Sequence, residues 1–364
     1  MPPVAIGIIG CGTISKVYAQ AGRIFPGISV AACADLDDLR AHALAEKYAI
    51  PLACSVADLL RDPAITIVVN LTVPSAHAEV GLAALEAGKA LYNEKPLAIG
   101  REEARRMLDL AAAKGLRVGC APDTFLGGGL QTCRALIDGG AIGRPVGAYA
   151  AILGSGPESW HQDPDFFYRE GAGPLFDMGP YYLTALATLL GPARSVSGSA
   201  RTTHAERTIG SGARQGERIP VTTPTHVTAL VEYDEAVATL TTSFDTAEGY
   251  TPRLEIYGTE GSLILPDPNT FGGPVRLRRR GGEWEEVAIA HGYTENSRGI
   301  GVADMAAAMR TGRPHRASGE LALHVLDTMH AIYESADTGR RIALTGGPAR
   351  PAALPVGWPE GDAS

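Results

Sequence analysis

Apolar and polar positions exchange two periods along the first third of the chain. Residues 4–9 are a short, β-branched apolar run of the buried-strand type, and Ile14, Val17, Tyr18, Ala21 and Phe25 then recur at helical spacing. The exchange repeats as strand 28–34, helix 36–48 with Leu39, Ala43 and Leu44 on one face, and a capping-box pattern from Ser55 to Asp58. Strand 65–73, helix 75–87 closed by Gly88, strand 90–93, helix 101–114 closed by Gly115 and strand 116–120 complete the series. Strands separated by helices in this way predict βαβ units and a mainly parallel sheet.

Beyond residue 123 the pattern changes. A helix at 130–137 precedes a strand at 146–153, a loop rich in aromatic and polar residues at 155–169, and a helical stretch reaching 190. Strand-like segments follow at 227–233, 237–243, 253–257, 262–265, 275–279 and 285–289, with turn signals between them. The polar segment 204–223 reads as an exposed loop, and helices at 302–310 and 320–338 close the pattern. The fold class expected is α/β: a Rossmann-type dinucleotide domain over 1–122, an α+β domain with an open, mainly antiparallel sheet over 123–346, and an irregular tail over 347–364.

Composition narrows the function. The 364 residues are 45% hydrophobic and 20% charged, with a net charge of −8, so nucleic acid and anionic membrane surfaces are not expected partners. No apolar run reaches the roughly 20 residues that span a bilayer. The first residues carry no basic segment of the secretory type, and the five cysteines form no CxxC and no even framework. The expected setting is cytoplasmic. The histidines show no ligand spacing, so no metal is expected, and no Gly-x-Ser-x-Gly or Cys/His arrangement suggests a hydrolase.

The first chemical motif follows the first strand directly. Gly10 permits a tight turn, Gly12 lets the backbone approach a pyrophosphate, and Thr13, Ile14 and Ser15 open the helix whose positive end faces that anion. Ser15 stands where a third glycine or alanine is usual. Asp35 ends the second strand, where a carboxylate accepts adenosine ribose hydroxyls and repels a 2′-phosphate, so NAD is expected in preference to NADP. Glu94, Lys95 and Pro96 end another strand on the carboxyl edge of the sheet, where open α/β sheets bind ligands; the proline there allows a cis bond.

These motifs, together with Thr72-Val73-Pro74, His77 and the run from Gly173 to Asp177, resemble the glucose–fructose oxidoreductase and inositol dehydrogenase family, Gfo/Idh/MocA, over nearly the whole chain. The resemblance implies that Lys95 is the catalytic-site lysine and Asp177 a substrate-binding carboxylate. It also implies that Thr72, Val73 and Pro74 border the nicotinamide side of the cofactor, with His77 and Glu94 close by. Many relatives carry a histidine four residues after the aspartate. This chain carries Tyr181, as in the branch containing glucose–fructose oxidoreductase and dihydrodiol dehydrogenase. Spacing i, i+4 places Asp177 and Tyr181 on one helix face, although Pro180 predicts a kink between them. A phenol is a poor base at neutral pH, and a nearby lysine cation favours its phenolate.

The expected activity is NAD-dependent hydride transfer to or from a secondary alcohol of a sugar, cyclitol or glycoside, with Tyr181 carrying the proton. Softer substrate candidates are Asp123 after the last Rossmann strand and Trp160, His161, Tyr168 and Arg169 in the aromatic loop, where rings suit sugar faces. An enzyme retaining NAD through an internal oxidation–reduction cycle on a glycoside, and a catalytically silent NAD-binding sensor or scaffold, stand as alternatives. An open sheet face calls for a partner, and the resemblance implies a homo-dimer or homo-tetramer.

Overall fold

The computed structural model describes residues 2–247 and 254–358, which fall into two compact units. The first comprises 1–127, 292–326 and 354–364, the second 128–291 and 327–353. In the first, β1 (Val4–Ile9), β2 (Ile28–Ala34), β3 (Leu52–Ala53), β4 (Ile67–Asn70), β5 (Ala90–Asn93) and β6 (Val118–Cys120) form one parallel sheet in the order β3-β2-β1-β4-β5-β6. The chain changes direction across the sheet between β1 and β4, the switch point where such folds bind nucleotides. Ile6, Ile8, Ile67, Val68 and Val69 are fully buried there, which explains why these strands read as unbroken apolar runs.

Several boundaries differ from the pattern reading. The helix expected from residue 14 to 25 is two single turns, Ser15–Tyr18 and Ala21–Ile24, although Tyr18, Ala21 and Phe25 are all buried. The helix expected from residue 36 begins at Asp38, because the Asp37 carboxylate accepts the Leu39 N–H at 3.0 Å and caps it. Its buried face is Ala41, Leu44 and Ala45, and Leu39 projects outward. Ser55 caps the helix Val56–Arg61, accepting the Asp58 N–H at 3.1 Å.

The first unit also gathers late residues that the sequence pattern grouped with the second domain. The helix Ile300–Thr311 is capped by Asp123, the Arg117 guanidinium donates to the Arg313 carbonyl at 2.8 Å, and Gly119 bridges Ser318. Within the expected irregular tail, Leu354 and Trp358 are buried, and Trp358 meets the rings of Phe25 and Tyr293. Two buried apolar side chains anchor a segment whose Pro/Gly/Ala composition suggested none.

In the second unit, β7 (Pro145–Leu153), β8 (Ser195–Arg201), β11 (His226–Glu232), β12 (Val237–Ser243), β13 (Leu254–Gly258), β14 (Gly261–Ile264), β15 (Val275–Arg279), β16 (Glu285–Val287) and β17 (Ile342–Ala343) form a nine-stranded sheet ordered β16-β15-β14-β13-β7-β12-β11-β8-β17. The β7–β12 pair is parallel and the other pairs are antiparallel. The strand expected from Arg253 starts at Leu254; Arg253 itself lies outside the described residues. β8 was not expected, since its Ser/Gly-rich sequence carries little strand propensity; full pairing with β11 overrides that. Buried Val227, Ala229 and Val231 alternate with outward Thr228 and Leu230 along β11, so this sheet has one covered and one open face.

The polar segment 204–223 is not a plain exposed loop. β9 (Glu206–Thr208) and β10 (Arg218–Pro220) pair there, burying Ile209 and Ile219 with Phe167, Tyr168 and Phe244. Beside them Arg207 donates to Glu158 at 2.9 Å, to the Phe244 carbonyl at 3.2 Å and to Asp245, while Tyr168 donates to Glu158. Arg207, Glu158 and Asp245 keep only 10%, 11% and 5% of their side-chain surface exposed. Removing one partner of a buried ion cluster leaves the others desolvated and unpaired. Arg207→Met is therefore expected to cost about 3–5 kcal/mol in denaturant unfolding. Arg214→Met, whose Asp163, Asp165 and Glu217 partners are solvated, should lose far less.

Candidate functional site

The loop after β1 is built for close approach. Gly10 has φ +98°, and a Cβ there would lie 2.7 Å from the Leu71 carbonyl group. Gly12 and Thr13 are exposed, Ile14 is half-buried, and a Cβ on Gly12 would meet nothing within 4 Å. Asp35 follows β2 and closes the loop from below: Oδ2 accepts the Cys11 N–H at 2.7 Å and Oδ1 the Asp37 N–H at 2.9 Å. Each carboxylate oxygen retains acceptor capacity, as ribose hydroxyls require. Because the following helix is a single turn, the loop's own N–H groups, more than a helix dipole, are what it offers a pyrophosphate. The open space over Gly12 and the half-used Asp35 fit NAD.

The neighbouring strand ends carry a closed polar network. Asn70 and Asn93 face each other as register partners at the ends of β4 and β5, both fully buried, with the Asn70 amide donating to Asn93 Oδ1 at 2.7 Å. Asn70 Oδ1 accepts the Thr72 N–H at 3.2 Å and the Thr72 hydroxyl at 2.7 Å. Asn93 donates to the Leu97 carbonyl at 2.8 Å. Glu94 accepts the Lys95 N–H at 3.0 Å through one oxygen and the Tyr18 hydroxyl at 3.1 Å through the other. Thr72, Pro74, Glu94 and Lys95 are half-buried, Val73 is exposed, and the Lys95–Pro96 bond is cis. His77 is buried, with its ring nitrogens against the carbonyls of Pro96 and Thr72. Sequence reasoning passed over Asn70 and Asn93; an asparagine closing each of two apolar strands was the available signal.

Two substrate candidates have other duties. Asp123 is 1% exposed, and its Oδ2 accepts the Gly299 and Gly301 N–H groups at 2.8 and 3.0 Å. Burial pushes its carboxyl up to about 6, opposed by those two amides. Asp123 is thus a helix cap rather than a substrate ligand. Tyr168 is fully buried, its hydroxyl is given to Glu158, and burial with that carboxylate pushes its phenol upward. It belongs to the core under the aromatic loop. Trp160 and Arg169 are exposed on that loop and His161 is half-buried, its ring 5.5 Å from Trp160 edge to face.

Asp177 and Tyr181 lie on the helix Gly173–Leu190, which continues through Pro180. Gly173–Phe176, Gly179–Pro180 and 182–189 are all buried; the remaining side chains, half-buried, are Asp177, Met178, Tyr181 and Leu190. The one open stripe of an apolar helix therefore carries a carboxylate and a phenol at i, i+4.

At the opposite edge of the Rossmann sheet, a cavity of about 430 Å³ is lined by Lys89 and Arg117. Their cations are committed to main-chain carbonyls: Asp62 and Ile65 for Lys89, Ala308 and Arg313 for Arg117. Among the described residues no group of three or more His, Cys, Asp or Glu side chains is arranged to hold a metal ion, and no helix is long and apolar enough to cross a membrane.

Comparison with known proteins agrees with this chemistry. Residues 4–121 match the model of an oxidoreductase family with an NAD-binding Rossmann fold, which makes the chain an NAD-binding oxidoreductase. Residues 130–264 match the GFO/IDH/MocA C-terminal domain, and with both halves matched the chain belongs to the Gfo/Idh/MocA family. It is 28% identical to a 1,5-anhydro-D-fructose reductase of Ensifer adhaerens over 94% of this chain and 98% of that enzyme. It is 31% identical to an inositol 2-dehydrogenase of Saccharopolyspora erythraea, over 43% of this chain and 48% of that enzyme, so this match spans about half the relative's length. Levoglucosan dehydrogenase in complex with NADH and L-sorbose has the same fold, with a TM-score of 0.80 at 23% identity over 95% of this chain and 100% of that one.

The two glycines separate folding from binding. Gly10→Ala forces a left-handed alanine against the Leu71 carbonyl and should lower both the melting temperature and NAD affinity, the backbone term alone being about 1–2 kcal/mol. Gly12→Ala should melt like the parent and still lose NAD affinity in a fluorescence titration, because its methyl enters open space that a pyrophosphate would occupy.

Proposed function

We infer that this protein is an NAD-dependent dehydrogenase or reductase acting on a secondary alcohol, or the matching ketone, of a sugar, cyclitol or glycoside. One observation carries the reading: the open stripe of an otherwise buried helix presents Asp177 and Tyr181 in a chain that also contains an NAD-binding sheet. The relatives, an inositol 2-dehydrogenase and a 1,5-anhydro-D-fructose reductase, suggest the substrate class. Gly10, Gly12, Thr13, Ile14 and Asp35 hold the adenosine and pyrophosphate end, and Thr72, Val73, Pro74 and Glu94 the nicotinamide end. NAD, when bound, supplies the hydride acceptor or donor.

Tyr181 moves the proton of the reacting hydroxyl, and Asp177 orients the neighbouring hydroxyl by accepting its hydrogen bond. Lys95 supplies a cation that favours the phenolate of Tyr181 and the developing alkoxide. Trp160, His161 and Arg169 contribute a ring face and polar tips to the sugar. The reading includes a homo-dimer or homo-tetramer formed with a second copy of this chain, to be checked by light scattering; the open sheet face, where Leu230, Thr239 and Tyr149 are cross-strand neighbours, is its proposed contact surface.

The direct test is turnover of myo-inositol and levoglucosan with NAD, and of 1,5-anhydro-D-fructose with NADH, extended over aldoses and glycosides. No turnover across the panel, with NAD bound, would favour a binding protein instead. Steady turnover without added NAD would favour a retained cofactor. NAD should be used in preference to NADP, and Asp35→Ala should narrow the gap mainly by weakening NAD; equal use of both by the parent would remove Asp35 from that role.

Tyr181→Phe deletes one oxygen and should lower kcat by about 100-fold or more with a smaller change in KM. Lys95→Met should bind NAD normally and turn over comparably slowly. A Tyr181→Phe protein keeping most of its kcat would pass the proton role to another group.

A further inference from the structure

We propose that His77 is a positioning residue for Lys95, tying the lysine's loop, through the Pro96 carbonyl, to the start of the helix that follows the Thr72 loop. The inference rests on the role given to Lys95 above and adds a group that does not itself touch substrate. His77 is the first residue of the helix His77–Glu86 and is 1% exposed. Its Nδ1 lies 2.7 Å from the Pro96 carbonyl oxygen and its Nε2 3.1 Å from that of Thr72. One ring therefore spans the two segments that leave β4 and β5 at the carboxyl edge of the sheet.

Burial pushes the imidazole below its ordinary value and outweighs the two carbonyls, and the charge of Lys95 acts in the same direction. A neutral ring has one N–H, and the shorter contact assigns it to Nδ1, donating to Pro96. That bond closes a sequence of restraints on consecutive residues. The Lys95 N–H is taken by Glu94, the Pro96 carbonyl by His77 and the Leu97 carbonyl by Asn93. Asn70 adds the second link between the segments: it accepts from Thr72, donates to Asn93 and donates to the His77 carbonyl at 3.2 Å.

A lysine side chain has four rotatable bonds, so the reach of its ammonium is set first by where its backbone is held. Holding a reacting group within about 0.5 Å of its productive place requires locked support beneath it, and a displacement of about 1 Å can cost about 100-fold in rate. The buried histidine is the part of this support joining the lysine's loop to the Thr72–Pro74 segment, and that segment borders the nicotinamide in the reading above.

The test uses His77→Leu, which keeps bulk and removes both contacts, and His77→Asn, which reaches at most one carbonyl. Hydrogen–deuterium exchange on the full-length protein without NAD reads the backbone directly. In His77→Leu the peptide carrying Lys95 to Leu97 should exchange about 10-fold faster or more, while the peptide carrying Gly10 to Ile14 keeps the parent's rate. Turnover of the best substrate in the panel should fall by about 10- to 100-fold in His77→Leu and less in His77→Asn, with NAD affinity little changed. If His77 acts through Lys95, the loss should largely vanish when His77→Leu is added to Lys95→Met.

Unchanged exchange at Lys95 to Leu97, or an equal loss in both backgrounds, overturns the inference. Should His77→Leu fail to fold, His77→Asn decides in the same assays, with parental exchange and kcat counting against the proposal. A Lys95→Met protein with near-parental kcat instead overturns the role of the lysine. That outcome is distinct, because the exchange measurement requires no turnover.

Discussion

A parallel sheet that binds a ligand at its carboxyl edge must satisfy its last buried amides and carbonyls without covering that edge. Side chains can do this in place, whereas further strand pairing would close the crevice. Here polar side chains at the ends of four of the six strands do it. Asp35 after β2 takes the Cys11 and Asp37 amides, and Asn70 at the end of β4 takes the Thr72 amide and hydroxyl. Asn93 and Glu94 at the end of β5 take the Leu97 carbonyl and the Lys95 amide, and Asp123 after β6 takes two amides of the next helix. Each buried side chain answers a backbone group and fixes a loop by doing so. Segments 10–14, 72–74 and 94–97, proposed above to face the cofactor, are among the loops so fixed.

The second unit meets a comparable demand with charge. Its aromatic loop sits over a small core of Phe167, Tyr168, Ile209, Ile219 and Phe244, too few apolar side chains to hold a long excursion by burial alone. Arg207 adds what burial lacks, joining Glu158 of the loop to Asp245 after β12. Asp245 is held in turn by the hydroxyl of Thr225 at 2.6 Å. The Gly210 amide and the Glu158 carbonyl, 2.8 Å apart, tie the two excursions a second time. Exposed Trp160 thus stands on a platform that joins a small apolar core to a buried ion cluster. Satisfied buried charge gives geometric definition more readily than net stability.

What was legible in the sequence was whatever repeats or follows neighbouring residues. The βαβ alternation, the glycine turn at Gly10, the acidic residue closing β2 and the pairing of Asp177 with Tyr181 are all local, and each sits where its spacing implied. Partnerships across long separations, or within an irregular loop, were not legible. Asp123 and Tyr168 looked like substrate ligands because they are polar or aromatic residues in loops. The groups that claim them, Gly299 and Gly301 for one and Glu158 for the other, cannot be inferred from a loop's composition. Segment 204–223 was misread for the same reason: it gives only Ile209 and Ile219 to a buried cluster, and beside them its Arg207 pairs with two carboxylates contributed from elsewhere.

The division also separates kinds of residue within the chemistry. A group proposed to react, such as Lys95 or Tyr181, is suggested by its type and motif, because proton transfer restricts the choice of side chain. A group that positions is chosen only by the backbone atom it must reach, so Asn70, Asn93 and His77 carry no signature beyond being polar where a strand ends. Such residues follow from the hydrogen-bond balance of a buried edge. Every main-chain group there has to be assigned a partner, and a side chain assigned to two loops at once holds them in register. For Asn70 and His77 both loops border the proposed nicotinamide site, so the requirement that completes the fold also determines where the backbone of Lys95 is held.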